Sequence, residues 1–215
     1  MITFLSTLFI CTLTGLCGPD QKGPESFPTA IASDCRGGSA RLFDECGDQL
    51  AILADGQARA AATGKTLLVS YGAEWCIWCH VLHKYLAGEV RVFEYDFEMD
   101  DGTRLQGALF ERANPKRDAA ALEAYAAENF VLVHIENRFS PNGVKVLEAL
   151  GADVHFTGAL PFTFSVVGGA FNRKLPDSID MPEIEIRRDT DDWFRGYDRR
   201  ILLDQLKVLR KAAAG

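Results

Sequence analysis

The chain has 215 residues, 47% of them hydrophobic and 25% charged. These are ordinary globular proportions, and they exclude collagen-like, low-complexity and fully disordered classes. A net charge of −7 argues against phosphate backbones and anionic membrane surfaces, so no nucleic acid is expected as a partner. A core of this size needs no disulfides, which makes the six cysteines the informative count.

Residues 1–17 contain eleven Met, Ile, Phe, Leu or Cys and no charged side chain. The run is shorter than the ~20 residues of a membrane span. It ends in Gly15, Cys17, Gly18 and Pro19, the small-residue and breaker cluster found where a secretory signal peptide is cut. A signal peptide over 1–18 implies a periplasmic or secreted protein with no stable membrane span after cleavage. The stretch before Cys17 also loosely resembles a lipobox, with Leu16 where a small residue is usual, so lipoprotein anchoring at Cys17 is the alternative. Cleavage removes Cys11 and Cys17. Of the four cysteines left, the spacing of Cys76 and Cys79 makes them one pair. Cys35 and Cys46 are then expected to form a structural disulfide, stable in an oxidising compartment, with a second redox pair or free thiols as the alternatives.

Residues 19–47 are rich in Gly, Pro, Ser and Asp and read as an irregular N-terminal extension. Residues 48–63 predict an Ala-rich helix, N-capped by Asp48 and ended by Gly64, with Leu50, Leu53 and Ala54 on its core face. Residues 66–71 predict a buried strand. After a turn at 72–74 comes Trp75-Cys76-Ile77-Trp78-Cys79-His80, continuing as a helix to Leu86. Residues 94–117, with five acids in the eight residues from Glu94, read as an inserted, solvated acidic segment. Then follow a helix at 118–128, a buried strand at 130–135, a short helix at 143–150, and a strand at 160–167 opened by Pro161. An edge strand is expected at 183–188. A C-terminal amphipathic helix at 199–213 turns Ile201, Leu202, Leu206 and Leu209 inward. The order is β-α-β-α-β-(β)-α, in a domain spanning 48–215.

Cys76-Ile77-Trp78-Cys79 carries the chemistry. Two thiols so spaced at a helix start can close a small-ring disulfide. The first lies at the positive end of the helix dipole, which favours its thiolate, the attacking species in exchange. Cys76 is therefore expected to attack, and the less exposed Cys79 to resolve the mixed disulfide. The substrate class is a cysteine-containing protein, with a partner redox protein carrying the electrons and no organic cofactor. Three other readings use the same residues. Copper or zinc could be held by Cys76, Cys79, His80 and His83. The C-x-x-C-H pattern could attach a c-type haem, with His80 axial and Met99, Met181, His83, His134 or His155 as the distal ligand. A non-catalytic binding module is the third. Outside those roles His80 reads as a solvent-facing residue that tunes the thiolate, His83 as helix surface, and His134 as a hydrogen-bonded strand residue. Trp78 is either an apolar rim for substrate or a helix-end cap. Trp193, Phe194 and Tyr197 read as packing residues.

The stretch from Leu67 to His80, with Phe130-Val131-Leu132-Val133-His134-Ile135 and Leu160-Pro161-Phe162-Thr163-Phe164, resembles the thioredoxin superfamily. It is most similar to exported or periplasmic-type members with A-x-W-C-x-W-C. The resemblance covers 48–212 and implies a thioredoxin-like α/β fold, a central mixed sheet flanked by helices. It also implies that Trp75 packs beside the thiols, that Pro161 matches the family's cis-proline, and that Leu160 before it tunes redox and substrate preference. Ile77 and Trp78 match neither the reductase nor the strong-oxidant intervening pair, so the direction of exchange stays open. Two positions depart from the family. Ser70 stands where a buried acid is common, and Leu132 aligns with a common lysine. Their loss removes the usual proton relay to Cys79.

Overall fold

The computed structural model describes residues 23–90, 92–98, 104–110, 116–176 and 197–214, with backbone only for 92–98 and 104–110. The signal-peptide stretch with Cys11 and Cys17, the expected strand at 183–188, and Met99, Met181, Trp193 and Phe194 lie outside the described residues.

The sheet is built on two strands buried along their whole length, β2 (Thr66–Gly72) and β5 (Phe130–Glu136). They are nearly continuous apolar runs because helices cover both faces. Five strands run in the order β1-β5-β2-β6-β7, with β1 (Glu25–Phe27), β6 (Phe162–Val167) and β7 (Ala170–Lys174) completing the set. β1, β5 and β2 are mutually parallel, β6 pairs antiparallel with β2 and β7 antiparallel with β6, so the architecture is α/β with a mixed sheet. Side-chain alternation divides the core. Leu67, Val69, Tyr71, Val131, Val133 and Ile135 meet α1 (Gln49–Thr63) and α4 (Gly143–Leu150) on one face. Leu68, Phe130 and Leu132 meet α2 (Ile77–Leu86), α3 (Lys116–Asn129) and α5 (Arg199–Ala214) on the other.

The capping residues behave as their chemistry requires. Asp48 accepts from the Leu50 N–H at the start of α1, and Gly64 closes the helix in the left-handed region at φ 67°. The core face of α1 differs from the expected one. Ile52, Leu53, Gly56 and Ala60 are buried, Leu50 is half-buried and Ala54 is exposed. Gly56 sets this face, since a Cβ there would fall 2.1 Å from Val133 Cγ2. In α5, Leu202, Leu206 and Leu209 are buried, but Ile201 is 39% exposed, one residue off the stripe.

Three further differences concern short or polar segments. The extension at 19–47 contributes β1, whose Glu25, Ser26 and Phe27 pair with Val131, Leu132 and Val133. The acidic segment contains an antiparallel hairpin, β3 (Val92–Glu98) with β4 (Arg104–Phe110), as a separate two-stranded sheet. Its alternation of acids with Phe93, Tyr95 and Phe97 is the period-two pattern of a strand. The third predicted strand starts at Phe162, leaving Leu160 and Pro161 in the connection before it. Among the described residues no helix is long and apolar enough to cross a membrane.

Candidate active site

β2 ends at Gly72, and the chain turns through Ala73, Glu74 and Trp75 to Cys76, the N-cap of α2. Cys76 has extended backbone and its Sγ accepts from the Cys79 N–H at 3.3 Å. The amide that would stabilise a Cys76 thiolate is thus already directed at the sulfur. Cys76 and Cys79 are joined in a disulfide, as are Cys35 and Cys46. Both cysteines of this pair are more enclosed than a helix-start position suggests, Cys76 at 4% exposure and Cys79 at 0%. Leu42, Phe43 and Ala73 enclose them, with the half-buried Trp75, Trp78 and Leu160 packed around. β6 pairs antiparallel with β2, Phe162 opposite Tyr71, which brings Leu160 and the cis Leu160–Pro161 bond to the edge where β2 ends. Ile77 and Trp78 also pack against the apolar core under α2, and the Trp78 carbonyl accepts from the Tyr197 hydroxyl at 3.1 Å.

His80 and His83 are placed differently from expectation, whereas His134 is the hydrogen-bonded strand residue expected. His80 is half-buried rather than solvent-facing. Its Nε2 lies 2.7 Å from the Glu74 carbonyl oxygen and 3.6 Å from the Glu74 carboxylate. Burial holds its pKa below the usual imidazole value, against the opposing pull of Glu74. His83 is likewise not plain helix surface, because its Nδ1 meets His134 Nε2 at 3.2 Å. Burial, then the neighbouring His80 and Lys84, push His83 down to about 4. His134 is fully enclosed and held well below the usual value, first by burial and then by His83 and His80. Its Nδ1 has no hydrogen-bond partner. Ser70 is paired in register with His134, whereas Leu132 pairs with Leu68 in the apolar core. The side chain beside Ser70 is therefore an imidazole, displaced two residues along β5 from the aligned leucine. A cavity of about 360 Å³ under the N-terminal segment reaches His83 and His134 past Arg41, Leu42 and Pro28.

Metal ligation by Cys76, Cys79, His80 and His83 finds no common point. The thiols are bonded to each other, His80 is turned to Glu74, and His83 is turned to His134. Among the described residues, the group whose ligand atoms all lie within 4.8 Å is Cys35, Asp44 and Cys46. There the two sulfurs are spent on the disulfide.

Sequence reasoning missed the residues that tie the extension to the cysteine pair. The Glu74 carboxylate accepts from the backbone N–H groups of Arg41 (2.8 Å), Leu42 (2.9 Å) and Phe43 (2.8 Å). Phe43 is 0% exposed and packs edge-on to His134 at 5.3 Å between ring centroids. The buried Asp44 accepts from the N–H groups of Cys46 and Gly47, both at 2.9 Å. Gln49 donates to the Asp44 carbonyl and accepts from the Glu136 N–H, joining this loop to the end of β5. No local pattern pairs Glu74 with residues more than thirty positions earlier. The available signal was the acid itself, placed at the end of a buried strand where an unpartnered charge is costly.

Comparison of the chain with protein-family models, with curated proteins and with solved structures returned no match.

Proposed function

We propose that this protein is a thiol–disulfide oxidoreductase of thioredoxin-like fold that acts on protein cysteines outside the cytoplasm. The observation that carries the reading is a disulfide-forming pair at the N-terminus of α2, directly after a central buried strand, with the Cys79 N–H aimed at Cys76 Sγ. Exchange needs a first sulfur whose thiolate is stabilised and a second within reach of it. Support also comes from the apolar surround of Trp75, Trp78 and Leu160, which suits a polypeptide chain as substrate.

In the reducing direction, the Cys76 thiolate attacks one sulfur of a substrate disulfide. A Cys76–substrate bond forms and the second substrate sulfur leaves as thiolate. Cys79, deprotonated, then attacks Cys76 Sγ, releases the substrate thiolate and closes the Cys76–Cys79 bond. Two electrons pass to the substrate, and a partner redox protein restores the dithiol. Run backwards, the same steps oxidise a substrate dithiol. The Cys35–Cys46 disulfide and the apolar N-terminal run underlie the assignment outside the cytoplasm.

The test is mixed-disulfide capture. Reduced Cys79→Ala incubated with a disulfide-bonded peptide should accumulate an adduct, mapped to Cys76 by mass spectrometry, while Cys76→Ser should form none and lose turnover. Turnover retained by Cys76→Ser would sink the mechanism.

A further inference from the structure

Cys79 lies against the sheet at Gly72. A Cβ built on Gly72 would stand 2.7 Å from Cys79 Sγ and 2.8 Å from Phe43 Cζ, so sulfur and ring crowd the same glycine. On this side Cys79 is packed with Leu42 and Phe43 of the N-terminal segment 41–46. Three devices hold that segment down. The Glu74 carboxylate takes three of its N–H groups. The Cys35–Cys46 bond closes it covalently. Asp44 and Gln49 fix its far end to β5. Glu74 is also two residues from Cys76, so one side chain links the turn that carries the first sulfur to the cover over the second.

We propose that Phe43, tethered by Glu74 and by the Cys35–Cys46 disulfide, is a positioning residue that seals Cys79 and so confines exchange with outside thiols to Cys76. The idea rests on the exchange activity proposed above and adds the residues that enforce its order of attack. A mixed disulfide at Cys79 would leave the substrate on the buried sulfur, whereas one at Cys76 leaves Cys79 free to resolve it. With Phe43 in place, a bulky disulfide meets Cys76 first, and the Cys79 sulfur is reached by Cys76 Sγ alone. The tether acts through the backbone of 41–43, and the seal through the ring.

The sealing itself is measured without any exchange reaction. In a Cys76→Ala protein, Cys79 is the free thiol of the site, and its rate of modification by iodoacetamide is followed by peptide mapping. Modification of a buried thiol follows the opening of its cover. Adding Phe43→Ala should raise the rate by about tenfold or more, and adding Glu74→Gln should raise it by a smaller factor, since the amide nitrogen replaces one acceptor oxygen. Glutathione disulfide should form an adduct on Cys76 in Cys79→Ala but little on Cys79 in Cys76→Ala, and adding Phe43→Ala to Cys76→Ala should bring the Cys79 adduct up. Circular dichroism checks the fold of each variant. An unchanged Cys79 rate in folded Phe43→Ala overturns the proposal. If that variant does not fold, Glu74→Gln decides, because it leaves the ring in place, and an unchanged rate there overturns the tether. Failure of the capture experiment with Cys79→Ala would remove the exchange reading while leaving the sealing result intact.

Discussion

His83 and His134 share one N···N contact of 3.2 Å, so one imidazole donates and the other accepts. Burial keeps both on the neutral side, His83 down to about 4. The neighbouring charged or titratable groups are His80 and Lys84, both of which push the same way on His83, with Glu74 acting on His80. A group whose folded pKa is depressed binds its proton more readily when unfolded, so stability rises with pH across the interval. His83 therefore contributes no pH dependence above its unfolded value near 6.5, and stability falls as pH drops from there toward about 4. The loss from this residue should approach ~3 kcal/mol at the acid end. Urea unfolding at a series of pH values should show that slope, and His83→Gln should reduce it, leaving the part that His134 and His80 contribute; equal slopes in both proteins would place the titration elsewhere. The two thiols were legible in the sequence because their chemistry is local, three positions apart. The histidine pair was not, because its members stand 51 residues apart, and they meet only where α2, which carries His83, packs over the sheet position that β5 gives His134 beside Ser70.

At the scale of elements, legibility followed length and punctuation. α1 had a capping Asp48, a terminal Gly64 and an Ala-rich stretch of fifteen residues between them, and β2 and β5 were apolar runs framed by helices. β1 has three residues and β7 five, too few to show a period. The β3–β4 hairpin was hidden because its acids dominated the composition of a segment whose aromatic residues alternate. The Cys35–Cys46 disulfide, eleven residues apart, stands out as the device that organises an otherwise irregular stretch. In the chain-entropy picture a loop of that length is worth about 2–3 kcal/mol. Cys35→Ala combined with Cys46→Ala should accordingly lower the melting temperature by roughly 5–10 °C. Differential scanning calorimetry checks this, and an unchanged midpoint would mean that Asp44, Gln49 and Glu74 hold the loop unaided.

For the molecule as a whole, the mixed sheet has one edge protected by very little. β5 is buried at all seven positions, yet three residues of β1 cover its outer side. Unpaired edge strands with apolar side chains are templates for association. A chain lacking residues 1–29 would uncover Val131, Leu132 and Val133 along that edge while keeping both disulfides. It should self-associate at concentrations where the full-length protein stays monodisperse, as read by light scattering and sedimentation; a monodisperse truncated chain would show that β1 is dispensable to the edge. Arg59, which bonds Glu25 at 2.6 Å from α1, fastens β1 from the helical layer as well as from the sheet.

The Glu74 tether has a consequence for how freely this chain can vary. Its carboxylate is satisfied by main-chain N–H groups at 41, 42 and 43, and every amino acid except proline supplies that donor. The tether is thus indifferent to the side chains of Arg41 and Leu42, while Glu74 itself and the ring at 43 are constrained. A segment whose composition looks permissive can drift at an exposed position such as Arg41, while Leu42, Phe43, Asp44 and Cys46 keep the cover over the same sulfur.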